Sequence, residues 1–292
     1  MKFARSMVLL GGLIDIVSAQ VPTVTSGGVV NASSGSPTNP PGSLILIFGT
    51  NMGSKLGLSK ASSTPLSTQL AIGSDKVSAK VNGIPAPVFY VVNTQCPLGI
   101  CSQASVQLPW GAVAGSANAT VALNGHDSQP QQITVGEFSP GMFTLTQNGV
   151  GMALAFNAVA ITVNGKPTLA IAQPSGSVPG LTAVPAKAGD HLFVYATGLG
   201  PVTPKIDDGL APCALSGCKP TDRQRTTTTQ PQVLVGGVSA HIEFSGLAPQ
   251  FVGVYQLQFT VPAGVSPGNA VPLQIKIGGA ESDPAKVTIA VQ

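Results

Sequence analysis

Charge is what this sequence has least of. Of 292 residues only 9% are Asp, Glu, Lys or Arg, where an ordinary soluble domain has roughly 25%. Basic residues number 14 and acidic ones 11, for a net charge of +3. They are scattered, and the densest basic group (Lys219, Arg223, Arg225) sits in a Thr-rich stretch. Nucleic-acid binders carry a basic stripe, so no nucleic-acid partner is expected. Aromatic residues are sparse too, at 5% with a single tryptophan, which argues against a broad aromatic strip for sugars. Histidine occurs three times. The nucleophile elbow G-x-S-x-G, H-E-x-x-H, the P-loop and the EF-hand pattern are all missing, and each carries a chemistry that needs those residues at that spacing. No catalytic residue, cofactor or metal is expected, and the chain does not read as an enzyme. Past the N-terminus no apolar run reaches the about 20 residues a bilayer demands, so the mature chain has no expected transmembrane segment. Amphipathic segments of helical length are absent as well.

What fills the chain is 35 Gly, 25 Pro and abundant Thr, Ser, Val and Asn, the composition of short strands punctuated by turns. It also repeats itself. Gly42-Ser43-Leu44-Ile45-Leu46-Ile47-Phe48-Gly49-Thr50 returns as Gly189-Asp190-His191-Leu192-Phe193-Val194-Tyr195-Ala196-Thr197, from 42 to 189, an offset of 147. Val81-Asn82-Gly83-Ile84-Pro85-Ala86 returns as Val235-Gly236-Gly237-Val238-Ser239-Ala240, from 81 to 235, an offset of 154. Leu108-Pro109 returns as Val261-Pro262, from 108 to 261, an offset of 153. Three matches in one order mean a duplicated unit, since solenoid repeats are only roughly 20 to 50 residues long. Each copy shows six or seven short strands, with hairpin turns at Asn82-Gly83, Asn124-Gly125, Gly236-Gly237 and Gly278-Gly279. That pattern gives an all-β fold of two tandem antiparallel Ig-like β-sandwiches. The near-continuous apolar run Ser43 to Thr50 suggests a strand buried on both faces. Its copy places Leu192 and Val194 on one face and His191, Phe193 and Tyr195 on the other. An extra apolar stretch, Val150 to Val163, opens the second copy, with Asn157-Ala158 suggesting a hairpin.

Three segments divide the chain: a signal peptide at 1–19, one sandwich domain at 20–137 and a second at 138–292. Lys2 and Arg5 precede the apolar stretch Met7 to Val17, and Val17-Ser18-Ala19 forms an A-x-A-like cleavage site before Gln20. Asp15 interrupts that stretch. Phe138-Ser139-Pro140-Gly141-Met142-Phe143 is a short, apolar-ended joint, so the domains should abut. The four cysteines form two C-x4-C pairs. In an oxidising compartment these make the disulfides Cys96–Cys101 and Cys213–Cys218; the rival is one zinc ion held by all four thiolates.

Few residues carry chemistry. His241 and Glu243 are i, i+2 and share a strand face, a candidate acid–base or metal pair or simply a solvated polar stripe. His191 replaces Leu44 of the first copy and reads as a substitution at the edge of the core. Asp207-Asp208-Gly209 hints at calcium, but two carboxylates fall short of the six to eight oxygens calcium takes, and a turn explains them. Trp110 ends a strand in Leu108-Pro109-Trp110-Gly111. It is either a stacking platform for a ligand such as a sugar or a rim residue plugging one end of the sandwich.

Phe48-Gly49-Thr50-Asn51, Pro85-Ala86-Pro87-Val88-Phe89-Tyr90-Val91, Tyr195-Ala196-Thr197-Gly198-Leu199-Gly200-Pro201-Val202-Thr203-Pro204 and Phe251-Val252-Gly253-Val254-Tyr255-Gln256 together resemble a family of uncharacterised tandem Ig-like domains in exported soil-bacterial proteins. Each half is similar to an IPT/TIG domain. The resemblance covers nearly all of the mature chain and implies a non-catalytic secreted or cell-surface protein for adhesion, scaffolding or ligand contact. Its partner would be an unknown protein or glycan at the cell surface. The alternative is a carbohydrate-binding module using Trp110.

Overall fold

The computed structural model describes residues 21–97, 99–163, 165–213, 217–219 and 222–292; the expected leader at 1–19 lies outside them. Polar and apolar residues alternate between Gly-containing turns, and every regular element among the described residues is a strand. Residues 23–135 form two sheets. One runs in the order Thr23–Asn31, Leu44–Thr50, Gly99–Gln107, Val88–Cys96, Gly57–Lys60. The other runs Thr38–Asn39, Gln131–Val135, Gly115–Leu123, Asp75–Val81, Gln69–Ile72. Residues 141–291 form a second such pair. Its first sheet runs Gly141–Met142, His191–Thr197, Tyr255–Thr260, His241–Leu247, Thr226–Thr227, Val202–Thr203. Its second runs Gly151–Met152, Val287–Val291, Gly268–Ile277, Gln232–Val235, Val238–Ser239. Pairing is antiparallel except at one edge of each half, where Thr38–Asn39 and Gly151–Met152 lie parallel to their neighbours. The chain is two tandem Ig-like β-sandwiches.

Register confirms the duplication residue by residue. Val81 pairs with Ala119 and Val235 with Leu273; Phe48 pairs with Gln103 and Tyr195 with Gln256. Even an irregularity is repeated. The Val88–Cys96 strand slips register between Val88 and Tyr90, and the His241–Leu247 strand slips between Ile242 and Phe244. The extra residues, Phe89 and Glu243, occupy equivalent bulges. All four expected hairpin turns have positive φ at both central residues, from 47° at Asn82 to 87° at Gly125. That conformation matches strand twist, and Asn and Gly adopt it at least cost.

Each half has its own core. Ile45, Ile47, Val91, Val106 and Val121 are fully buried in the first, and Leu192, Val194, Leu257, Phe259 and Leu273 in the second. Each such side chain contributes roughly 1.5–3 kcal/mol relative to exposure. Tyr255 is buried with them, and its hydroxyl donates to the carbonyl of Gly200. The Leu44–Thr50 strand is not buried on both faces: Phe48 is 37% exposed and Leu46 half-buried, because no layer covers that side of the sheet. No hairpin forms at Asn157-Ala158 either. Ala155–Asn157 instead pairs with His191–Thr197, and the hairpin beyond it joins Ile161–Val163 to Lys166–Thr168. The cysteines are joined as Cys96–Cys101 and Cys213–Cys218, with Cα atoms 5.7 and 5.0 Å apart. No free cysteine remains among the described residues.

The halves meet through hydrogen bonds that few sequence patterns announce. Leu44 N–H donates to Thr197 Oγ1 (3.1 Å), which donates to the Gly253 carbonyl (2.7 Å). Asn31 Nδ2 donates to Ser139 O at 3.0 Å, and Gly209 N–H to Gln107 Oε1 at 2.6 Å.

Candidate functional site

Side chains alternate across a strand, so a sandwich strand presents every second residue outward. In the second half these outward positions gather the aromatic rings that the composition made seem too few. Phe193 and Tyr195 point out from His191–Thr197, since Leu192, Val194 and Ala196 are fully buried. The strand Ala155–Asn157, the counterpart of Val29–Asn31 in the first half, sets Phe156 opposite Phe193, with centroids 5.5 Å apart and planes 26° apart. Tyr195 meets Phe193 edge-on at 5.7 Å, and Phe251 from the following loop meets Tyr195 at 5.6 Å. Across the sheet, Gln258 lies opposite Phe193 and Gln256 opposite Tyr195. Phe244 lies beyond Gln258 on the next strand. The result is a connected cluster of four rings, with Phe251 joined through Tyr195, bordered by two amides on one open sheet face. Burial pushes the Tyr195 phenol above the ordinary 10.0, so it remains a neutral hydroxyl.

The amides of Gln256 and Gln258 make no hydrogen bond to a described residue. Their equivalents in the first half are spent. Gln103 Nε2 donates to the Tyr90 hydroxyl at 2.5 Å, and the position matching Gln258 is the buried Ser105. Leu46 and Phe48 stand where Phe193 and Tyr195 stand in the second copy. Duplication therefore produced two similar faces, and only the second combines four rings with free amides. No sequence motif marks this face. Its signal was the outward alternation of Phe193 and Tyr195 read against Gln256 and Gln258, which needs the strand register.

At one end of the face lie the histidines. His191 and His241 both sit opposite Thr260. The Thr260 hydroxyl donates to Glu243 Oε1 at 2.6 Å, and His191 Nδ1 stands 2.5 Å from the same oxygen. Thr260's bond, then that of His191 and the nearby imidazoles, hold Glu243 below the usual carboxylate range against some desolvation. His191 is therefore an exposed partner of a carboxylate and not a residue at the edge of the core. His241 and Glu243 share a face by ordinary alternation, and the bulge at Glu243 brings Phe244 to that same face. The cluster lines neither cleft described below. No three metal-ligating side chains converge among the described residues.

The other candidates fall at the joint between the halves. Trp110 does not stand at an open loop: its ring covers Gly42 and packs against the second half's core. Its backbone N–H donates to Asp208 Oδ1 at 2.8 Å. Asp207-Asp208-Gly209 is thus a clasp between halves, with Asp208 pushed upward by burial despite that bond. Two clefts open on the described surface. One of about 350 Å³ opens beside Val29 and Ile133. The other, about 310 Å³, is lined by Ser33, Ser139 and Glu281 with Asp283 and Lys286. In the second cleft Glu281 pairs with Lys276 at 3.0 Å and Lys286 lies 4.0 Å from Asp283. Neither cleft is lined by a histidine.

No protein-family model matches the chain, and no curated protein is similar to it in sequence. Among solved structures, the Yersinia pseudotuberculosis adhesin InvE is similar over 92% of this chain, at 12% identity and a TM-score of 0.21. The chain spans 60% of that adhesin's length. Domains 5–6 of the S-layer protein SbsC match at 14% identity over 92% of this chain and 98% of theirs, TM-score 0.20. A chain of the complex between Dpr2 Ig1–Ig2 and DIP-Theta Ig1–Ig3 matches at 9% identity over 87% of this chain and 94% of its own, TM-score 0.19. Scores this low decide nothing about function. Fold assignment rests on the strand pairing.

Proposed function

We propose that this is a non-catalytic secreted or cell-surface protein that makes contacts through its sheet faces, serving adhesion, scaffolding or ligand capture. One observation carries the proposal: the residues with chemistry to offer gather on an open sheet face and not in a pocket. There Glu243, the one carboxylate beside the histidines, is already engaged by Thr260 and His191. A catalytic base needs a site that excludes water and a reacting atom within reach; a contact face needs only exposed rings and unspent polar groups. The division at 137/138 into two IPT/TIG-type domains, and export after removal of 1–19, belong to the same proposal. The repeated topology and two local disulfides support them.

The test is binding of the purified protein to envelope fractions and isolated surface polymers, with Phe193→Ala and Tyr195→Ala as variants. Saturable retention weakened by both variants is expected. Hydrolysis of any substrate, lost on replacing His191 or His241, would overturn the proposal. So would binding indifferent to both aromatic variants.

A further inference from the structure

We infer that the outer face formed by Phe156, Phe193, Tyr195, Phe251, Gln256 and Gln258 is a binding site for an uncharged carbohydrate. This inference rests on the contact reading above and names its ligand class. Three observations converge. Phe251 is 45% exposed and the other three rings are half-buried, so apolar ring surface is offered to solvent at fixed positions. A sugar ring has an apolar face of C–H groups that packs on such rings, and packed aromatics lose little freedom on binding.

Second, the two amides beside the rings make no hydrogen bond to a described residue and face solvent. Each offers two donors and an acceptor, the complement of neighbouring hydroxyls on a sugar. In the first half the equivalent group is consumed by Tyr90. Third, the face is nearly free of charge. On Ala155–Asn157, His191–Thr197 and Tyr255–Thr260 the only side chain that could be charged near neutrality is His191. It sits at the margin against Glu243. An acidic ligand finds no guanidinium or ammonium on these strands, and a basic one no free carboxylate. A second copy of this chain is disfavoured by the amides, since apolar contact would strip them of water without replacing their bonds. A polyhydroxylated neutral ligand satisfies rings and amides together.

Affinity electrophoresis and calorimetry on the purified full chain test this, with xylan, mixed-linkage glucan and galactomannan as neutral probes and polygalacturonate as the acidic one. At least one neutral polysaccharide should retard the protein and give a saturable isotherm. Phe193→Ala and the double variant Gln256→Ala/Gln258→Ala should each weaken it about tenfold or more, as loss of an interface anchor does. Phe48→Ala, at the place in the first half that Tyr195 holds in the second, should leave it unchanged. Circular dichroism and thermal unfolding confirm that each variant folds; the double glutamine variant removes no ring and keeps the test open if Phe193→Ala misfolds. Retardation by no neutral polysaccharide, retardation only by polygalacturonate, or full binding by the glutamine variant overturns the inference. So does dimerisation abolished by Phe193→Ala, which would assign the face to a second copy. If the polysaccharides fail while envelope binding still depends on Phe193, the ligand class falls and the contact reading stands. If neither survives, both fall.

Discussion

At the scale of single residues, the positions that looked most chemical in the sequence turn out to hold the halves together. Asp208 is half-buried beneath Trp110, accepting its backbone N–H. Desolvation raises its pKa above the ordinary 3.8, opposed by the Trp110 bond and helped by Asp207. A carboxyl whose folded value is raised favours the folded state while protonated, and that advantage is lost as pH rises through the folded value. Asn at 208 keeps the acceptor for Trp110 and cannot ionise. Asp208→Asn should therefore match the parent protein below pH 3.8 and be the more stable of the two at neutral pH. Thermal unfolding across that range checks it. A variant that loses stability at neutral pH would show that the ionised bond to Trp110 outweighs desolvation.

At the scale of elements, strand existence was legible and strand context was not. Alternation in His191–Thr197 placed Leu192 and Val194 inward as found. The uninterrupted run at Leu44–Thr50 hid the same alternation, because Leu46 and Phe48 are apolar yet outward. Composition cannot distinguish a second buried face from an apolar exposed one. Nor could it show that Phe156, Phe193, Tyr195 and Phe251 meet, since they come from separate segments and 5% aromatic content says nothing about clustering. Bulges were equally invisible, yet they give a sharp prediction. Glu243 is the extra residue opposite Tyr255–Thr260. Deleting it restores strict alternation, with Ile242, Ser245 and Leu247 still facing the core, so the deletion should fold with near-parental strand content. Deleting Ile242 instead turns the Glu243 carboxylate toward Phe259, where an unpaired charge is costly, and should abolish folding. Circular dichroism and thermal melts of the two deletions separate the outcomes; equal damage from both would mean the bulge is required.

For the whole molecule, two sandwiches of one topology differ at the joint and on their outer faces. The first half contributes Gly42, Leu44, Gln107 and Trp110 to the joint, and its outer amide is spent on Tyr90. The second keeps its amides free and carries Phe156 where the first copy has Val30. On the proposed contact reading, a rigid joint would serve the protein, because a contact face transmits force or position only if its support does not swivel. Gly42 is where that rigidity is most exposed to test. Its φ is +78°, and the Trp110 ring occupies the space a Cβ would need. Gly42→Ala must then strain the backbone and push the indole off the second half's core. The parent protein should unfold in one calorimetric transition. The variant should show two, the earlier one lowered, while retaining both cores and the binding assigned to the Phe193 face. Two transitions in the parent protein would mean that the hydrogen bonds across the joint do not couple the halves, and that each sandwich carries its stability alone.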